Sequence, residues 1–96
     1  MTKCCSLDLK KFSNLLKSIS EITRLQILCL LKNKEQCVCD LQKYCNIPHN
    51  LALHHLNTLK KMKLITSRQK GKYTFYRLSK KEFSVFLKNF KNILGG

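Results

Sequence analysis

At 96 residues the chain makes one small domain, which buries only about 60–65% of its unfolded surface, so pairing with a second copy is the expected remedy. Lys and Arg number 19 against 5 acids, and the resulting net charge of +14 points to a polyanion partner, nucleic acid first. No apolar run approaches ~20 residues and Met1-Thr2-Lys3-Cys4-Cys5 does not open a signal peptide, which argues against a membrane partner and for a cytoplasmic location; six cysteines then suggest metal or redox chemistry rather than a disulfide framework.

In chain order, residues 1–6 read as a flexible arm carrying the adjacent pair Cys4-Cys5. Ser6 is placed to cap a helix with Asp8 in its first turn, and Leu9, Phe12, Leu16 and Ile19 form one apolar stripe over 7–19. Ser20 is the next N-cap candidate. After it, Ile22, Leu25, Ile27, Leu28, Leu30 and Leu31 predict a central core helix, apolar on most sides and ending near Lys32-Asn33-Lys34. Cys29 and Cys45 read as small buried hydrophobes.

Cys37 stands where an N-cap belongs, with Val38, Cys39 and Asp40 as the first three positions of a helix reaching about Tyr44. Inside a helix two cysteines spaced this way would point apart, but an N-cap has extended backbone, and there residues two apart share a face. The two sulfurs can therefore converge on one ion. Orphan N–H groups and the helix dipole are expected to lower the thiol pKa, and the thiolate is what binds soft metals.

Asn46-Ile47-Pro48 is a tight break, with Pro48 suited to the first position of a helix ending at Met62. Leu51, Ala52, His55, Leu56 and Leu59 line one side of that helix; His49, Asn50, Leu53, His54, Asn57 and Lys61 line the other. Helices joined by so short a turn make a helix-turn-helix over 38–62. Leu64–Gln69 and Lys72–Leu78 predict a hairpin across Lys70-Gly71. Ser79-Lys80-Lys81-Glu82 is a capping box, and Phe83, Phe86, Leu87, Phe90, Ile93 and Leu94 continue at helical spacing, with burial expected at a subunit interface with the first helix. Helix, helix, helix-turn-helix, hairpin, helix is the order of a winged helix: mainly α, with a wing over 64–78 and dimerisation helices at 7–19 and 79–94.

Glu35-Gln36-Cys37-Val38-Cys39-Asp40-Leu41 resembles the metal box of the ArsR/SmtB repressors, whose usual form has Leu where Gln36 stands. His54-His55-Leu56 with Leu59 and Lys60 resembles their recognition helix. Thr23-Arg24-Leu25 with Ile27-Leu28 resembles their second helix, and Gly71-Lys72 through Tyr76-Arg77-Leu78 their wing, so the resemblance spans roughly 12–78. It implies a homodimeric repressor that holds operator DNA and releases it when a metal ion or metalloid binds. The last helix offers Glu82 but no His, so the family's Zn/Co site on that helix is not expected. All-thiol arsenic boxes have a third Cys where Gln42 stands. Other members, on the cadmium and lead branch and among arsenic sensors, bring N-terminal cysteines across from the other subunit, an arrangement that Cys4 and Cys5 resemble.

On this reading Cys4 and Cys5 of one protomer join Cys37, with or without Cys39, of the other. Three sulfurs suit As(III) or Sb(III); four suit Cd(II), Pb(II) or Zn(II). His49, Asn50, Leu53, His54 and Asn57 face the major groove, Leu53 standing where the family usually has Ser, while Lys60, Lys61, Lys70 and Lys72 contact phosphates. Two rival readings are a thiol-redox repressor and a basic architectural DNA-binding protein with no sensor. An enzyme is not expected, since no carboxylate pair, nucleophile constellation or phosphate loop is visible.

Overall fold

The computed structural model describes residues 9–95, so Cys4, Cys5 and the expected cap at Ser6 and Asp8 lie outside the described residues. The elements are α1 (Leu9–Ile19), α2 (Ile22–Leu31), β1 (Gln36–Cys37), α3 (Val38–Cys45), α4 (His49–Lys61), β2 (Ile65–Lys70), β3 (Tyr73–Leu78) and α5 (Lys80–Leu94), a winged helix-turn-helix.

Local chemistry sets the joints. The α2 N-cap is Glu21 rather than Ser20: its backbone is extended and its carboxylate accepts the Arg24 N–H at 3.0 Å. Ser20 instead donates its hydroxyl to the Lys17 carbonyl at 2.8 Å, closing the last turn of α1. Between α3 and α4, Asn46 takes the left-handed conformation (φ 54°) that Asn tolerates, and its N–H closes on the Gln42 carbonyl. Pro48 is the N-cap of α4 rather than its first residue, so the helix begins one residue later than expected, at His49. Ser79 caps α5 by accepting the Glu82 N–H.

Lys70 pairs with Tyr73, which moves the hairpin loop one residue on, to Gly71-Lys72; Gly71 has φ +62°, where a side chain would be strained. The wing also has a third strand not foreseen from sequence. Gln36 and Cys37 pair antiparallel with Tyr76 and Phe75, giving the order β1-β3-β2. Cys37 is thus both the last residue of a strand and the cap of a helix.

The core joins Ile27, Leu28 and Leu31 of α2 to Leu41 of α3, Leu56 and Leu59 of α4, and Leu64, Ile65 and Tyr76. Phe12 stacks on Phe86 at 5.6 Å between centroids, which binds α1 to α5. Two expectations of burial fail, on α2 and at Leu51 of α4, while the apolar stripe of α5, expected at a subunit interface, is partly open in the single chain. Ile22 (66% exposed), Leu25 and Cys29 share one open stripe of α2, so that helix is apolar all round but covered on one side only. Leu51 is exposed as well. Of the α5 stripe, Phe86 is buried, whereas Leu87, Phe90 (41% exposed) and Leu94 face outward. The molecule measures 51 × 21 × 19 Å, too thin for a helix at its end to be covered on all sides by its own chain.

Candidate functional site

Helix α4 separates its faces as its periodicity requires. Ala52, His55, Leu56 and Leu59 are buried, while His49, Asn50, His54, Asn57, Lys60 and Lys61 are exposed and Leu53 is half-buried. Lys70 and Lys72 are exposed on the wing. Two side-chain bonds fix this helix at its ends. His49 Nδ1 lies 2.9 Å from Gln42 Oε1, linking α3 to the start of α4, and Lys60 Nζ donates to Ser67 Oγ at 2.7 Å, linking its end to β2.

A network on the buried side anchors α4 to α1 and α2. Arg24 Nε donates to His55 Nδ1 at 3.0 Å and another guanidinium nitrogen donates to the Ser18 carbonyl at 2.9 Å. Nδ1 therefore accepts, and the imidazole is neutral with its proton on Nε2. Burial, to 6% exposure, holds the His55 pKa below its ordinary value, aided by Arg24 and His54 and opposed by Glu21. The Glu21 carboxylate, 3.7 Å from Nδ1, becomes an ion-pair partner only if His55 is protonated. Glu21 is itself held below the usual carboxylate range: burial opposes this, but N–H donors at Thr23 and Arg24 outweigh it.

A depressed histidine pKa means that the folded state stays neutral while the unfolded chain takes up a proton. Stability should therefore fall as pH drops through the unfolded value of about 6.5. Thermal unfolding at steps between pH 7.5 and 5.5 checks this, and a His55→Phe variant with the same pH dependence as the wild type would refute it.

Cys37 has the extended angles argued from sequence (φ −84°, ψ 163°), and Cys39 follows it inside the helix. The two thiols differ in setting: Cys37 is 9% exposed and Cys39 lies open. Cys37 Sγ makes no capping hydrogen bond, although the N–H groups of Asp40 and Cys39 lie close enough to favour its thiolate. Burial prevails, and the Asp40 carboxylate adds to it, so the thiol pKa is raised, not lowered as expected from the helix end alone. Burial likewise raises Cys45. Among the described residues no group of three or more His, Cys, Asp or Glu side chains is arranged to hold a metal ion.

Two residues before Cys37, Glu35 accepts both arms of Arg68, at 2.7 and 2.8 Å, joining the start of β1 to β2. The Arg68 guanidinium, first by hydrogen bonding, holds Glu35 below the usual carboxylate range. Sequence reasoning passed over this pair, the Arg24–His55 bond and the Gln42–His49 bond. Only the last, at a spacing of seven across a short turn, has a local signal.

Among the described residues no helix is long and apolar enough to cross a membrane. The family model described as "Bacterial regulatory protein, arsR family" matches residues 21–67. The chain is 37% identical over 67 residues to the transcriptional repressor SdpR of Bacillus subtilis, covering 70% of this chain and 74% of that one. It is 36% identical over 70 residues to the arsenical resistance operon repressor of Staphylococcus aureus (73% and 67%) and 32% identical over 91 residues to the cadmium resistance transcriptional regulatory protein CadC of Listeria innocua (94% and 69%). Among solved structures, a possible transcriptional regulator for arsenical resistance superposes with a TM-score of 0.75 at 27% identity over 81% of both chains.

Proposed function

The chain belongs to the arsR family of bacterial regulatory proteins, and from that premise we propose that it is a homodimeric cytoplasmic repressor that a thiophilic ion releases from operator DNA. Its family and fold are those of DNA-binding transcriptional regulators, not of enzymes. The observation that carries the proposal is the double position of Cys37, capping the helix next to α4 and ending a strand of the wing.

The outward-facing Leu87, Phe90 and Leu94 of α5, with Leu9 of α1, support pairing of two copies through these helices. His49, Asn50, His54 and Asn57, with Leu53 at their edge, read bases in the major groove; Asn50 and Asn57 suit adenine, and Lys60, Lys61, Lys70 and Lys72 take phosphates. Cys37, with or without Cys39, provides soft donors, and Cys4 and Cys5 of the other protomer complete the set. Three thiolates suit As(III) or Sb(III), and four suit Cd(II), Pb(II) or Zn(II). Relatives named for arsenical and cadmium resistance support either choice.

When Cys37 is drawn toward the arm, strain enters two elements together: α3, coupled to α4 through Gln42 and His49, and β3, through its pairing with β1. Each adjoins an element that contacts DNA, α3 adjoining α4 and β3 adjoining β2 of the wing, so the DNA-competent arrangement loses population. Burial of Cys37 limits the access of an oxidant to that sulfur. The test is fluorescence anisotropy on a duplex selected by the protein from a random library, with and without arsenite or Cd(II). A coupling of about 1–3 kcal/mol weakens binding ~5–150-fold; equal affinity in all three conditions would refute the switch.

A further inference from the structure

A basic groove of about 660 Å³ opens where the end of α2, the turn before β1, the outer face of the wing and the start of α5 meet. Lys32, Lys34, Arg68, Arg77, Lys80 and Lys81 line it, against Glu35 as the acid in its wall. Glu35 is engaged by Arg68, whereas Lys32, Lys34, Lys80 and Lys81 form no ion pair among the described residues. Such a density of unpaired cations in a concave surface repels itself unless an anion enters it.

The strand register shows that this groove is not the back wall of the α4 surface. The pairs Ile65–Leu78 and Ser67–Tyr76 share the sheet face that meets the core and Lys60 of α4. Thr66–Arg77 and Arg68–Phe75 therefore lie on the opposite face, since successive residues alternate. Lys70, paired with Tyr73, is on that outer face too, so the cations continue from the wing tip down to Lys80 and Lys81. A strand of six residues spans ~20 Å, along which one strand of a duplex sets about six phosphates at ~3.4 Å per charge.

We propose that this groove is a second DNA-backbone track, holding duplex that flanks the segment read by α4. Repeated cations without an opposing base-reading side chain fit a phosphodiester backbone, and their continuity with the wing tip favours DNA over an acidic protein. The inference rests on the DNA-binding reading above, and its test separates the two. The probes are the library-selected core duplex alone and the same core with flanks of about one helical turn on each side, titrated over a salt series.

The wild type should show a steeper log Kd against log salt slope on the flanked duplex. Replacing Lys34, Lys80 and Lys81 together with Gln should reduce that slope by about 2–3, at ~0.9 per lost phosphate contact, while leaving the core-only affinity intact. Glu35→Gln, which removes the groove's acid, should move the flanked-duplex slope the other way; a misfolded variant would not. Equal wild-type slopes on both duplexes, or a triple variant that weakens core and flanked duplexes alike, would overturn the track, and an acidic-protein groove would give the first of these results. Failure of the wild type to bind the core would overturn the DNA-binding reading, and the track with it.

Discussion

Serine at position 37 is expected to abolish the response to arsenite and to Cd(II), removing a ~5–150-fold inducer effect while leaving the inducer-free DNA affinity close to wild type. The fold should tolerate the change, because serine is a better N-cap than cysteine and can accept the N–H groups near Cys37 Sγ. Cys39→Ser then separates the coordination numbers. Loss of the Cd(II) response with retention of the arsenite response means four sulfurs for one ion and three for the other. The raised Cys37 pKa adds a pH signature. Cd(II) must displace thiol protons, so its affinity should climb as pH rises from about 6 to about 8. Arsenite reacts as As(OH)3 + 3 RSH → As(SR)3 + 3 H2O, with no net proton, so its affinity should stay nearly flat. Anisotropy titrations of wild type and both variants at three pH values read all of this; an arsenite response surviving Cys37→Ser would remove Cys37 from the mechanism.

Arg24→Leu should cost about 1–3 kcal/mol, the larger effect expected on folding, because it leaves His55 Nδ1 buried without a donor and the Ser18 carbonyl without its partner. Pairing it with His55→Phe should recover much of that loss, since removing both partners leaves no orphaned polar atom. Urea unfolding of the two single variants and the double variant gives the coupling energy. Strict additivity would show that the contact is structurally idle. Because the network fastens α4 to α1 and α2, Arg24→Leu should also weaken DNA binding through misplacement of α4 rather than loss of charge.

The element order and the two faces of α4 were readable in the sequence because they depend on local quantities: helical period, caps, a Pro break and a Gly turn. Where reading failed, the deciding partner was far along the chain. Gln36-Cys37 is too short to declare itself a strand and becomes one only because Tyr76 and Phe75 present an edge to it. The sign of the Cys37 pKa shift turned on burial, which the helix-end argument could not weigh. Cys29, Leu25 and Ile22 look like core in any apolar tally, and only the packing of neighbours decides which side of α2 is covered. Nothing local to Arg24 announces its partner, because His55 lies 31 residues away. The thiol box was legible as a motif, but Cys4 and Cys5, the donors proposed to complete it, lie outside the described residues.

Cys37 belongs to the sheet as well as to the sensor, and on the proposed switch this sets the dose at which a gene would be turned on. The sulfur can be pulled only against the two rungs that tie Gln36 and Cys37 to β3 and against the Glu35–Arg68 clasp beside them. Two proteins with the same cysteines and the same affinity for an ion would then trip at different concentrations if their clasps differed. Natural or engineered drift in detection threshold would accumulate in the wing, away from any atom that touches the ion.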